Sequence, residues 1–212
     1  MTLDDLPTLI QTIHIHGLAA NKKLGQHFLL DMNLTDKIAR LALPLEGVSV
    51  AEIGPGPGGL TRSLVKAGAP KVLAIEMDER FIPALDDIAD AAPGDLTILQ
   101  TDALKVDIPE HLVGEIKIAA NLPYNVGTKL LINWLTSDPI FWTQAVLMFQ
   151  KEVAERVVAA PGDSGYGRLA ILSQSVCNCY HAFDVPARAF TPPPKVDSAV
   201  VVLEPLPVDK RY

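Results

Sequence analysis

From Val48 onward the chain repeats one unit: a short apolar run, a turn rich in Gly, Pro or Asp, then a stretch of helical period. The apolar runs predict strands over Val48–Ile53, Lys71–Glu76, Leu96–Gln100, Ile116–Ala120 and Ala145–Phe149. Between and after them, helices are expected over Leu60–Ala67, Glu79–Ala91, Thr128–Leu135, Lys151–Ala160 and Leu169–Ser175. Strands without polar alternation must be covered on both faces. The rhythm therefore predicts an α/β fold with a mostly parallel, doubly wound sheet between helices. Two last strands, Val176–Phe183 and Ser198–Leu203, have no helix between them and are expected to form an antiparallel edge. Upstream, Leu3–Gly17 reads as one amphipathic helix, and Asp31 as the N-cap of a helix that reaches Ala42 before Pro44. The expected divisions are a helical extension (1–45), the α/β domain (46–205) and a tail or the start of a linker (206–212).

A chain of 212 residues, 49% hydrophobic, can bury one good core. With 2 cysteines and no Arg-led apolar leader, a reducing, cytoplasmic setting is the expectation. No stretch approaches the ~20 apolar residues of a membrane span. The formal charge of −7 argues against a uniformly basic nucleic-acid binder but leaves room for local basic patches. Cys177 and Cys179 alternate along a strand, ~7 Å apart on one face. Structural zinc takes four ligands and no fourth is evident, so these are read as buried strand thiols and no metal is expected.

The turn Glu52-Ile53-Gly54-Pro55-Gly56-Pro57-Gly58-Gly59 joins the first strand of this pattern to its helix. Gly54, Gly56 and Gly59 have the dinucleotide-fingerprint spacing, and Glu76 ends the next strand where a ribose-binding acid belongs. Pro55 and Pro57, however, delete two of the backbone N–H donors on which a pyrophosphate cradle relies. A loop short of donors suits a ligand without phosphates that needs close backbone approach. S-adenosylmethionine is such a ligand. Asp102, after the strand Leu96–Gln100, reads on its own as a turn or N-cap Asp. With Glu76 and Asn121 it shares the rim of strand C-termini where such sheets bind ligands, and there it is placed to accept from an adenine amine.

Asn121-Leu122-Pro123-Tyr124 follows the apolar run Ile116–Ala120. The exocyclic amine of a flat base is a poor nucleophile, because its lone pair is delocalised into the ring. Two fixed acceptors, the Asn121 side-chain oxygen and the Leu122 carbonyl, suit its two N–H groups, and Tyr124 suits its ring face. Pro123 stiffens the loop. The plain alternative is a turn after a strand.

Gly25-Gln26-His27-Phe28-Leu29, Glu52-Ile53-Gly54-Pro55-Gly56, Asn121-Leu122-Pro123-Tyr124 and Phe190-Thr191-Pro192-Pro193-Pro194-Lys195-Val196-Asp197-Ser198 together resemble the ribosomal RNA adenine dimethyltransferases of the small subunit. The resemblance runs from about Lys22 to Leu203. It implies a Rossmann-like class I S-adenosylmethionine-dependent methyltransferase with a seven-stranded, mostly parallel sheet, helices on both faces and an antiparallel edge. The implied reaction is methyl transfer to N6 of two adjacent adenosines in a hairpin loop near the 3′ end of small-subunit rRNA. The implied partner is that rRNA or the pre-30S particle, met by a monomer away from membranes. The resemblance sets Gln26, His27 and Leu29 against the methionine end of the cofactor, Gly54 beneath it, Glu76 on the ribose and Asp102 on the adenine. Asn121 and Leu122 would hold the target amine, while Tyr124 and Phe190 would sandwich the base. A buried core position is the plain reading of Phe190. Lys22, Lys23, Lys129, Arg156, Arg168, Arg188 and Lys195 are candidate phosphate contacts. Gly127 and Thr128 are expected to leave room for a methylated amine. The family also carries a small C-terminal helical domain, which is not expected within these 212 residues.

Three other readings compete. Adenine N6 of large-subunit rRNA is the target in a related family that tends to have Ile at the position of Leu122, and a non-catalytic ribosome-assembly or transcription factor would use the same fold for binding alone. A nicotinamide-dependent oxidoreductase would use only the glycine spacing and leave Asn121–Tyr124 idle.

Overall fold

The computed structural model describes residues 2–21, 26–92 and 94–211. Seven strands form the main sheet: β2 (Ser49–Ile53), β3 (Lys71–Glu76), β4 (Asp95–Gln100), β5 (Ile116–Asn121), β6 (Gln144–Gln150), β7 (Cys177–Val185) and β9 (Ser198–Pro205). Their spatial order is β4-β3-β2-β5-β6-β9-β7. The first five run parallel, and β9 inserts antiparallel to both β6 and β7. The sheet reverses its winding between β2 and β5, both of which pair directly, so the C-terminal ends of these strands open a crevice there. The expected class I methyltransferase architecture and its antiparallel edge are both present.

The apolar runs bury both faces through the two-residue strand period. Ala51, Ile53, Ile118, Ala120, Leu147 and Val201 face one cluster with α5 (Gly127–Leu135), α6 (Lys151–Val158) and α7 (Arg168–Val176). Val50, Ala119, Val146, Met148 and Val200 face the other, with α2 (Met32–Leu41) and α3 (Gly59–Lys66). Each fully buried Leu, Ile or Val contributes ~1.5–3 kcal/mol from removal of apolar surface from water. A third cluster packs Leu18 and Phe28 on Phe81, Leu85 and Ile88 of the α4 region (Ile82–Ala91). Among the described residues no helix is long and apolar enough to cross a membrane.

Three expectations are corrected. Leu3–Gly17 is not one helix: a 3-10 turn, Leu3–Asp5, is separated from α1 (Leu9–Ile15). Pro7 disfavours helix at Leu6, and Thr8 starts α1 afresh by accepting from Gln11 N. Glu79–Ala91 likewise divides into a 3-10 turn, Glu79–Phe81, and α4, with a proline in the first turn of the α-helix. A two-stranded ribbon, β1 (Phe28–Leu29) with β8 (Phe190–Thr191), lies outside the predicted elements. Asp31 does cap α2, accepting from Asn33 N at 2.9 Å.

Two ionisable side chains of the sheet are buried against its helices. Lys117 of β5 donates to the carbonyls of Ala42 and Pro44 at 2.8 and 2.9 Å, so a lysine from the sheet caps the end of α2. Lys117→Met keeps the volume but leaves both carbonyls unpaired, and should cost about 2 kcal/mol, read as a lower denaturation midpoint. Glu52 of β2 points to the α2–α3 face, 1% exposed, and its Oε2 has no partner. Burial, with a smaller push from Glu76, raises its carboxyl from 4.5 to about 8. Between those values the folded chain keeps a proton that the unfolded chain has released, so stability falls as pH rises through that window. Glu52→Gln should flatten this fall; chemical denaturation at about pH 5.5 and about pH 9 checks it.

Candidate active site

The crevice between β2, β3 and β5 contains a cavity of about 140 Å³. Its wall includes Gln26, His27, Gly54, Glu76, Asp102 and the whole of Asn121–Tyr124, brought from the ends of four different strands and from the N-terminal segment.

The glycine turn forms its floor. Gly54 has φ +65°, in the left-handed region, and a Cβ there would lie 3.5 Å from the Pro123 ring, so the two loops touch across the crevice. The backbone donors of residues 54–58 are accounted for. Gly54 N–H donates to Ile75 O and Gly58 N–H to Pro55 O, while Pro55 and Pro57 have none. Gly56 N–H, between the prolines, donates to Glu76 Oε2 at 3.0 Å. A pyrophosphate would find no free amide among residues 54–58. Within residues 54–58 the fingerprint spacing therefore offers no amide to a phosphate.

Glu76, 6% exposed, accepts from Gly56 N–H on one oxygen and Asp78 N–H on the other, at 3.0 and 2.8 Å. Burial raises its carboxyl above the usual carboxylate range, and the two amide bonds oppose that shift. The amides fix the plane of the carboxylate at the end of β3, and each oxygen keeps a lone pair for a hydroxyl donor. Asp102 combines its two readings. One oxygen caps the 3-10 turn through Leu104 N–H at 3.0 Å, and the residue also lines the cavity.

Asn121 is the last residue of β5, and Leu122 N–H donates to Met148 O at 3.2 Å, which extends the ladder by one residue. Among the described residues the Asn121 side-chain amide and the Leu122 carbonyl have no hydrogen-bond partner, although Leu122 is only 1% exposed. Asn121 is partly buried and both groups line the cavity wall, so two acceptors stand open there to a ligand with N–H groups. Tyr124 is partly buried, its hydroxyl 2.7 Å from Ser198 Oγ and its ring 5.7 Å from the His27 ring.

Leu29 and Phe190 do not line this cavity. They are cross-strand partners in the β1–β8 ribbon, 7% and 2% exposed, and both pack in the α2–α3 core. Phe190 thus packs in the core, as its plain reading expected, and does not line the cavity beside Tyr124. Leu29 instead borders a smaller cavity of about 50 Å³ behind the glycine turn, shared with Glu52. Gly127 leaves no spare room either, since a Cβ there would meet Leu122 Cβ at 3.1 Å and the Phe149 ring at 3.3 Å. Its missing side chain lets α5 pack. Cys177 is buried and Cys179 partly so, both free, with burial raising each thiol to about 12.

Lys129, Arg156, Arg168, Arg188 and Lys195 are exposed and form no ion pair among the described residues. Lys129 follows the Asn121–Tyr124 loop on α5, and Arg188 and Lys195 flank β8. Lys22, Lys23 and Gly25 lie outside the described residues. Sequence reasoning missed Asp78, which lines the cavity and joins it to the N-terminal segment. Gln26 Nε2 donates to it at 2.8 Å, and Arg80 donates to it through both Nε and Nη2. Arg80 holds its carboxyl down at about 2. Glu76-Met77-Asp78-Glu79-Arg80 reads as the charged start of a helix, which hides this role.

The family model for ribosomal RNA adenine dimethylase matches residues 17–211. A protein of Maricaulis maris named Ribosomal RNA small subunit methyltransferase A is 58% identical over 100% of this chain and 74% of its own length. The protein of that name from Sinorhizobium medicae is 57% identical over 97% of this chain and 76% of its own. Among solved structures, a dimethyladenosine transferase from Plasmodium falciparum is 34% identical with a TM-score of 0.72, covering 85% of this chain and 64% of that one. The 23S rRNA methyltransferase ErmE is 27% identical with a TM-score of 0.74, covering 84% and 70%. The chain spans about three quarters of the length of these two relatives. It is a methyltransferase and belongs to the ribosomal RNA adenine dimethylase family.

Proposed function

We propose that the chain transfers methyl groups from S-adenosylmethionine to N6 of two adjacent adenosines in the hairpin loop near the 3′ end of small-subunit rRNA, within a pre-30S particle. The observation that carries this reading is the pair of acceptors, the Asn121 side chain and the Leu122 carbonyl, that have no partner among the described residues, on the same crevice as residues 54–58 with no amide free for a phosphate. The donor set fits the cofactor: Glu76 would take the ribose hydroxyls, Asp102 the adenine amine, and Gln26, His27 and Gly54 the methionine end. When bound, S-adenosylmethionine supplies the electrophilic methyl of an in-line displacement. The chain's residues position and desolvate. Asn121 and Leu122 take the two N–H bonds of the target amine and free its lone pair from the ring, Pro123 keeps the loop stiff, and Tyr124 stacks on the base. Asn121–Tyr124 contains no carboxylate, and an alkylated amine is acidic enough to release its proton to water.

The small-subunit target rests on relatives of that name at 57–58% identity, against 27% for the 23S enzyme. The exposed cations Lys129, Arg188 and Lys195 would meet phosphates beside the crevice. Labelled methyl should pass to 30S particles lacking the modification, and not to 50S particles; label in 50S alone would overturn the target. Asn121→Ala should lower transfer by about 100-fold or more while leaving most cofactor affinity, and unchanged transfer would sink the amine-holding role.

A further inference from the structure

Tyr124 is held from two sides by one distant segment. Its hydroxyl lies 2.7 Å from Ser198 Oγ, 74 positions along the chain. Ser198 is fully buried at the start of β9, where it pairs with Gln150 of β6 and Val185 of β7, so its position is set by strands on both sides. The ring of Tyr124 meets the His27 ring at 5.7 Å and 31°. His27 is in turn fixed by a 2.7 Å contact between its Nδ1 and the Pro192 carbonyl. Ser198 and Pro192 belong to the same run, 190–198, whose aromatic residue Phe190 is turned into the core.

We propose that Ser198 is a positioning residue for methyl transfer: its hydroxyl fixes the direction of the Tyr124 ring axis, while His27, held by Pro192, packs against the ring and limits its turn, so that one face of Tyr124 is presented to the base. This rests on Tyr124 as the stacking surface. The hydroxyl of a tyrosine lies on the axis of its broad, roughly two-fold ring torsion, so a hydrogen bond there fixes where the axis points, and a ring packed alongside, here His27, limits the turn about it. Serine suits the task because its hydroxyl sits on a one-bond arm from a strand that cannot move. The run 190–198 thus serves the site through orientation, where the sequence pointed to a second stacking ring.

The test compares Ser198→Ala, Tyr124→Phe and the double variant of the full chain, with kcat for rRNA methylation, the Kd of S-adenosylhomocysteine and the ¹³Cζ resonance of Tyr124. Each single variant should lose about tenfold in kcat with the Kd unchanged, and the double should lose no more than either single. In Ser198→Ala the Tyr124 resonance should move, and its phenol should ionise at higher pH because the Ser198 hydrogen bond lowers that value. Wild-type kcat in Ser198→Ala, a loss of about 100-fold in the double, or an unmoved resonance would overturn the proposal. The resonance needs no substrate, so it decides the contact even if rRNA proved to be the wrong substrate.

Discussion

The two backbone amides on Glu76, from Gly56 and Asp78, tie the crevice together. One comes from the glycine turn after β2 and the other from the turn after β3, so a single carboxylate fixes both loops at the point where the sheet reverses. The cost is burial of an acid, visible in its raised carboxyl, and hydrogen bonds to amides offset part of it. By accepting the only N–H between Pro55 and Pro57, Glu76 leaves residues 54–58 without a free amide, while its remaining lone pairs suit hydroxyls. From Asp78 the network continues to Gln26 and Arg80, which joins the N-terminal segment to the cavity wall.

A second device joins distant parts of the chain. The β1–β8 ribbon, the His27–Pro192 contact and the Tyr124–Ser198 hydrogen bond all bring residues 27–29 or 124 to the run 190–198. All three depend on β9 lying in place between β6 and β7. Tyr124 is therefore oriented only once β9 has entered between β6 and β7.

Periodicity and turn chemistry made most of the sheet legible, because β2, β3, β5, β6 and β9 are apolar on both faces and admit few other arrangements. Asp31 and the proline breaks marked α2. The site was legible where function rests on strand ends: Gly54, Glu76, Asp102 and Asn121–Tyr124 all follow apolar runs and all reach the cavity. It was hidden where tertiary pairing decides. Leu29 and Phe190 sit in motifs that match a cofactor and a base site, yet their cross-strand pairing turns both into the core. Asp78 was obscured by its helix-start surroundings, Ser198 by being one hydroxyl in an apolar strand, and the break at Pro7 by the hydrophobic period around it.

The central claim is that the crevice binds a nucleoside cofactor without phosphates, through the carboxylate that takes the amide between Pro55 and Pro57. Titration calorimetry with S-adenosylhomocysteine and, separately, NADH, on the wild-type chain and on Glu76→Ala, tests it most directly. The account predicts saturable binding of S-adenosylhomocysteine that is lost or strongly weakened in Glu76→Ala, and no binding of NADH. Tight NADH binding, or S-adenosylhomocysteine binding indifferent to Glu76, would contradict it.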